Sequence, residues 1–223
     1  MRDSTLRRPL MSAGIAVITA LVVLLSAYTF LARGTFTNTR ITQTLASGWV
    51  GLGVRAPESA GGVATILPVG GPAFSTQAIS TVAANHALAV NDPNALSQAL
   101  ADALQRPMAG AVVLDRLAYA GLVDVVGGID AIVDAPFTVT RTDGSSIEVA
   151  AGPAHLDGIS AAAFVLADPR GIHLNEACKA LVQRLPEDHD QLLGIVKSLG
   201  MSMRATVSAA TVVQWLEFWH SRL

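Results

Sequence analysis

Apolar and polar positions divide the chain into one long apolar run followed by short patterned segments. No charged residue occurs between Arg8 and Arg33, and residues 10–31 read LMSAGIAVITALVVLLSAYTFL. About 20 apolar residues in a helix span a hydrocarbon core of about 30 Å, and a lone segment can pair its backbone groups there only as a helix. The run therefore predicts one transmembrane helix at 10–31. Beyond it, WVGLGV (49–54) and VATILPV (63–69) read as strands joined by a Pro-, Ser- and Gly-bearing hairpin connection. A loop at 70–74 precedes a predicted helix at 75–89. Asn94 stands where it can cap a second helix, 95–105, whose Leu96, Leu100 and Leu104 form an apolar stripe.

The middle of the chain has the clearest pattern. AGAVVLD (109–115) is a continuous apolar run, as expected for a strand covered on both faces, and Asp115 can cap the helix that follows. That helix, 116–126, places Leu117, Ala120 and Val123 on one side and stops at Gly127-Gly128, because glycine readily takes the left-handed conformation of a helix end. A strand at 129–140, a turn at 142–145 and a strand at 146–150 follow. Strand, helix, strand at this spacing predicts a crossover unit. After Gly152 the pattern turns helical: a His155–Gly158 turn, then helices at 159–166, 175–185, 187–199 and 210–221. Trp215 and Trp219, four residues apart in the last helix, share a face that reads as core. The expectation is an α/β fold with a central mixed sheet flanked by helices, preceded by one transmembrane helix.

Charge sets the topology. Arg2, Arg7 and Arg8 precede the run against Asp3 alone, so the positive-inside rule places residues 1–9 as a basic tail in the cytoplasm. Residues 32–44 then form a linker, and 45–223 one extracytoplasmic domain at the cell membrane. A cleaved secretory signal is the alternative, but its apolar region is shorter, roughly 7–15 residues, and Ser26-Ala27-Tyr28 fits a cleavage site poorly. The formal net charge of −2 gives no electrostatic support to nucleic-acid binding. Cys178 is the single cysteine and reads as a small buried hydrophobe rather than a nucleophile. Neither it nor the histidines show ligand spacing, so no metal site is expected. His86 reads as a structural histidine. There is no Gly-rich phosphate loop, no Gly-x-Ser-x-Gly elbow and no paired-carboxylate motif.

Two motifs in order carry a resemblance. Leu122-Val123-Asp124-Val125-Val126-Gly127-Gly128-Ile129-Asp130 and, later, Leu156-Asp157-Gly158 with Phe164-Val165 resemble the paired signatures of the LytR-CpsA-Psr family. Asn85-His86-Ala87 with Pro93 resembles its segment before the second helix. The similarity covers about residues 45–200, with its specific part in 85–166, and the N-terminal apolar run matches the family's layout. The resemblance implies an α/β/α sandwich with an apolar tunnel for a polyprenyl tail. It also implies a mouth of arginines and aspartates that holds a pyrophosphate and a divalent cation, and transfer of glycopolymers to the bacterial cell wall.

The sequence departs from the family at that mouth. Where an Ile-Pro-Arg-Asp turn is expected, it reads Leu67-Pro68-Val69-Gly70. Where Tyr-Val-Arg-x-Arg is expected, it reads Phe164-Val165-Leu166-Ala167-Asp168. Where a Ser-Asp-Thr start is expected, it reads Ser47-Gly48-Trp49. An apolar residue cannot replace the charge-assisted bonds of a phosphate-binding arginine. The leading expectation is thus a non-catalytic, membrane-anchored envelope protein that binds a polyprenyl lipid, a glycopolymer or a partner protein, with no cofactor. One alternative is a transferase with a rearranged site and Mg2+, for which Arg170 and Asp168 are the catalytic candidates and Arg55, Arg141 and Arg170 the ligand-binding ones. Another is an accessory subunit of a membrane complex, docking through its span and the Trp215/Trp219 face.

Overall fold

The computed structural model describes residues 48–56, 61–69, 76–141 and 143–223. The tail 1–9, the span 10–31, the linker 32–44 and the loop 70–74 lie outside the described residues. Among the described residues no helix is long and apolar enough to cross a membrane.

The core is a five-stranded sheet. Strands β1 (Gly48–Ala56) and β2 (Gly61–Val69) pair as an antiparallel hairpin, in register from Gly48 opposite Val69 to Ala56 opposite Gly61. β3 (Gln77–Ile79) flanks β2. Helices α1 (Val82–Ala89) and α2 (Pro93–Leu104) then carry the chain over one face to β4 (Met108–Asp115), which runs parallel to β1. The order is completed at the far edge by β9 (Met203–Ala205), antiparallel to β4. One parallel pair among antiparallel ones makes the sheet mixed, as expected. Both edge strands are three residues long, which limits edge-to-edge pairing.

Helices cover both faces. Gly51 and Gly53 let α1 and α2 approach β1: a Cβ at either position would overlap Leu100 or Leu88. The opposite face, through Val50, Leu52 and Leu67, meets helices α3 (Arg116–Val125), α5 (Ile172–Arg184), α6 (His189–Ser198) and α7 (Ala209–His220). Helix α4 (Gly158–Ala167) packs between α3 and α5.

Several elements differ from the sequence reading. The predicted helix 75–89 begins as β3, and α1 starts only after Thr81, whose side chain accepts from the Ala84 amide at 3.1 Å. Helix α2 is capped by Asp92, not Asn94. Pro93 occupies the first helical position, and Asp92 accepts from the amides of Asn94 and Ala95 at 2.9 and 3.2 Å. Asp115 makes no side-chain cap on α3 and pairs with Arg55 instead. Leu117 stands 63% exposed, while Ala118, Tyr119, Leu122 and Val123 are buried.

The predicted strand 129–140 is two strands, β5 (Ile129–Val133) and β6 (Phe137–Thr140), pairing with β8 (Gly152–Leu156) and β7 (Ser146–Val149) respectively. Asp134-Ala135-Pro136 oppose only Ala150-Ala151, so the ribbon slips by one residue where proline cannot donate a ladder bond. β5 pairs with β8 outside the central sheet, so the predicted crossover unit does not form. His155 lies within β8 rather than in a turn.

Candidate functional site

The motifs that carry the resemblance meet at one joint. α3 ends at Gly127 and Gly128, both at positive φ (80° and 90°), with the Gly128 amide returning to the Val123 carbonyl at 2.9 Å. Asp124 accepts from the Gly158 amide at 2.6 Å, tying the end of α3 to the start of α4. A Cβ on Gly158 would overlap the Ala120 carbonyl, and one on Gly128 would overlap the His155 ring. His155 places Nδ1 2.8 Å from Asp130 and Nε2 3.0 Å from the Gly127 carbonyl. Asp130 also accepts from Arg184 on α5. The hydrogen bonds from His155 and Arg184 hold the Asp130 carboxyl below its ordinary value.

The candidate arginines are each paired with an aspartate, and they do not converge. Arg55 Nε lies 3.1 Å from Asp115 Oδ1 at the ends of the parallel strands β1 and β4, on the face that carries α1 and α2. Arg141 donates to Asp157 at 2.9 Å at the start of α4. Burial raises the Asp157 carboxyl, but bonds from Ser160 and Arg141 outweigh it, so its net shift is downward. Arg170 Nε donates to Asp168 at 3.1 Å at the other end of α4, about 15 Å away along a ten-residue helix. Arg170 is 73% exposed, whereas Asp168 is buried and accepts the amides of Arg170 and Ile172 at 3.0 and 2.8 Å. Burial also raises the Asp168 carboxyl, and these bonds again bring it below its ordinary value.

At the positions matched to the family's mouth arginines, Val69 is fully buried, Leu166 is half-buried and Asp168 is buried. The Pro68 carbonyl accepts from Trp219 Nε1 at 2.7 Å. Among the described residues no group of three His, Cys, Asp or Glu is placed to hold a metal ion. With the Asp168 oxygens committed to main-chain amides, the residues placed here do not fit a divalent cation.

An apolar cavity of about 70 Å³ lies between the sheet and α7, walled by Tyr119, Cys178, Trp215 and Trp219. Trp215 and Trp219 are 3% and 5% exposed, so their face is core and not a docking surface. Burial pushes the Cys178 thiol up to about 12, which removes it as a nucleophile. Burial also raises Tyr119, whose hydroxyl has no partner among the described residues. Sequence reasoning missed the Trp219–Pro68 bond and the Arg184–Asp130 pair. The first joins residues 151 apart and the second 54 apart, beyond any local pattern.

No protein-family model matches the chain, and no curated protein matches it in sequence. Solved structures do match in fold. TagV of B. subtilis superposes with a TM-score of 0.61 at 14% identity, over 78% of this chain and 79% of its own. TagT bound to LI-WTA gives 0.60 at 17% identity, over 79% and 76%. The LytR-Csp2A-Psr enzyme from Actinomyces oris gives 0.58 at 14%, over 80% and 77%. The two signature motifs, joined in space as they are ordered in sequence, thus belong to a domain with the LytR-CpsA-Psr fold.

Proposed function

We propose that the chain is a membrane-anchored, extracytoplasmic protein of the bacterial cell envelope. It uses the LytR-CpsA-Psr fold as a scaffold that binds a partner protein and transfers no glycopolymer. The observation that carries this reading is the interior cavity of about 70 Å³. One water molecule's share of liquid is about 30 Å³, and small-ligand sites run to about 300–1,000 Å³. A polyprenyl tail has no room beside Trp215, Trp219 and Tyr119. The chemistry of the mouth supports the same reading. A pyrophosphate leaving group needs concentrated positive charge, yet Arg55, Arg141 and Arg170 are each neutralised and held apart. The anchor at 10–31 and the outward orientation rest on the uncharged run and the basic tail.

The test is mass spectrometry of lipids released from the gently purified full-length protein with Mg2+ present, followed by incubation with a polyprenyl-pyrophosphate-linked glycan. The reading expects no stoichiometric polyprenyl lipid and no released pyrophosphate carrier. Recovery of such a lipid, or Mg2+-dependent transfer abolished by Arg170→Ala, would overturn it in favour of a transferase with a rearranged site.

A further inference from the structure

We infer that His173 is a proton-operated latch on the cleft between the β5–β8 ribbon and α5. Neither strand of the ribbon pairs with the central sheet, so packing and side-chain bonds hold it against α5. An open cleft of about 610 Å³ lies between them, with Ile132 and Pro153 on the ribbon wall and Glu176, Lys179 and Gln183 on the helix wall. A ribbon carboxylate meets α5 at each end. Asp130, near the start of β5, accepts from Arg184 at the close of α5. Asp134, just past β5, has an oxygen 3.4 Å from His173 Nε2 in the first turn of α5. Arginine is always charged, whereas histidine changes its charge between about pH 5 and 8. One end of the cleft is therefore fixed, and the other titrates.

The geometry decides what each state of the ring does. His173 Nδ1 lies 2.8 Å from the Phe164 carbonyl of α4. A carbonyl only accepts, so Nδ1 carries the single proton of the neutral ring. Nε2 then presents a lone pair to the Asp134 carboxylate, and the two repel. The ring is held in this orientation. It is 14% exposed and stacks on Phe164, with centroids 4.0 Å apart and planes 10° apart. A second proton turns Nε2 into a donor to Asp134 and sets a cation over an aromatic face. Among the described residues no other carboxylate lies within ion-pair distance of His173. Asp168 and Arg170, at the end of α4, pair with each other, and Glu176 lies one turn further along α5. His155 also titrates and touches Asp130, but Arg184 holds that carboxylate in either state of the ring. A group that gains a partner only when protonated stabilises its contact below its titration range, and the contact is lost as pH rises through that range. The latch is thus shut in acid and open in alkali, whether or not the chain transfers glycopolymer.

The experiment is nitrogen-resolved NMR of the histidine rings in the full chain in detergent micelles, with amide hydrogen exchange in parallel. At about pH 8.5 His173 should be the Nδ1–H tautomer, and at about pH 5.5 it should carry both protons. Protection of 172–179, corrected for the intrinsic exchange rate, should fall about two- to fivefold from the lower pH to the higher, the worth of one partly exposed ion pair. Asp134→Ala removes a 71% exposed carboxylate and should give the lower protection at both pH values. His155→Gln leaves His173 in place and should keep the full response. A neutral His173 protonated on Nε2, protection that ignores pH, or an Asp134→Ala protein that responds as the wild type does would overturn the inference. Loss of the response in His155→Gln would place the latch at the Arg184 end and overturn it equally.

Discussion

The two ends of α4 differ in what holds them. At its start, Asp124 reaches the Gly158 amide, Asp157 caps the helix through the Ser160 amide at 2.9 Å, and His155 bridges Asp130 to the Gly127 carbonyl. At its close, where the family places phosphate-binding arginines, the chain has Leu166 and a buried Asp168 folded onto its own turn. The first end is a joint that folding requires, because α3 and α4 cross so closely that only glycine fits at Gly158. The second end is closed by main-chain amides on Asp168. Nothing in the packing needs a cation there, so the fold persists without one. Motifs of turn and close approach can therefore mark a fold independently of the charged residues at its mouth.

The most severe break of this comparison is to put a cation back. Val69 has no exposed surface, so Val69→Arg should cost about 3–5 kcal/mol as an uncompensated buried charge, measured by urea denaturation. Leu166→Arg, at a half-buried position, should cost less than about 1 kcal/mol. Equal stability of Val69→Arg and the wild type would mean that this end is open and the contrast wrong. Next in size is Gly158→Ala, where the new Cβ meets backbone that cannot rotate away, for about 3 kcal/mol. Gly121→Ala in neighbouring α3 meets nothing within 4 Å and should raise stability by up to about 1 kcal/mol through helix propensity. Asp124→Ala, which strands the Gly158 amide, should cost about 2 kcal/mol, visible as faster hydrogen exchange at the start of α4.

The sequence was legible wherever a local period or a turn residue decided the structure. The hairpin of β1 and β2, the stripe of Leu96 and Leu100, the double-glycine stop of α3 and the core role of Trp215 and Trp219 all follow from neighbours in the chain. β3 and β9 were missed because three residues carry no period. β8 was missed because the residues it pairs with in β5 lie 19 to 27 positions upstream, and His155–Gly158 reads as a turn. Leu117 misled because a stripe gives the side of a helix and not what covers it. The arginines were legible as residues, but their neutralisation was not, since Arg55–Asp115 and Arg141–Asp157 each depend on tertiary pairing.

The mildest test separates the two ends by acid. The carboxyls of Asp130 and Asp157 at the joint, and of Asp168 at the far end, all lie below their ordinary value. A group depressed on folding contributes stability that is complete above its unfolded value, about 3.9 for aspartate. That stability is lost as pH falls through the lower folded value. These groups should thus leave the denaturation midpoint level above about pH 5 and lower it progressively below about pH 4. Asp157→Asn and Asp168→Asn should each make that acid limb shallower, since either removes one proton from the linkage. Arg170→Ala removes only a 73% exposed guanidinium and should shift stability by no more than about 0.5 kcal/mol. A larger loss would show that Arg170 holds the far end of α4 closed, which would make that end a structural joint in its own right.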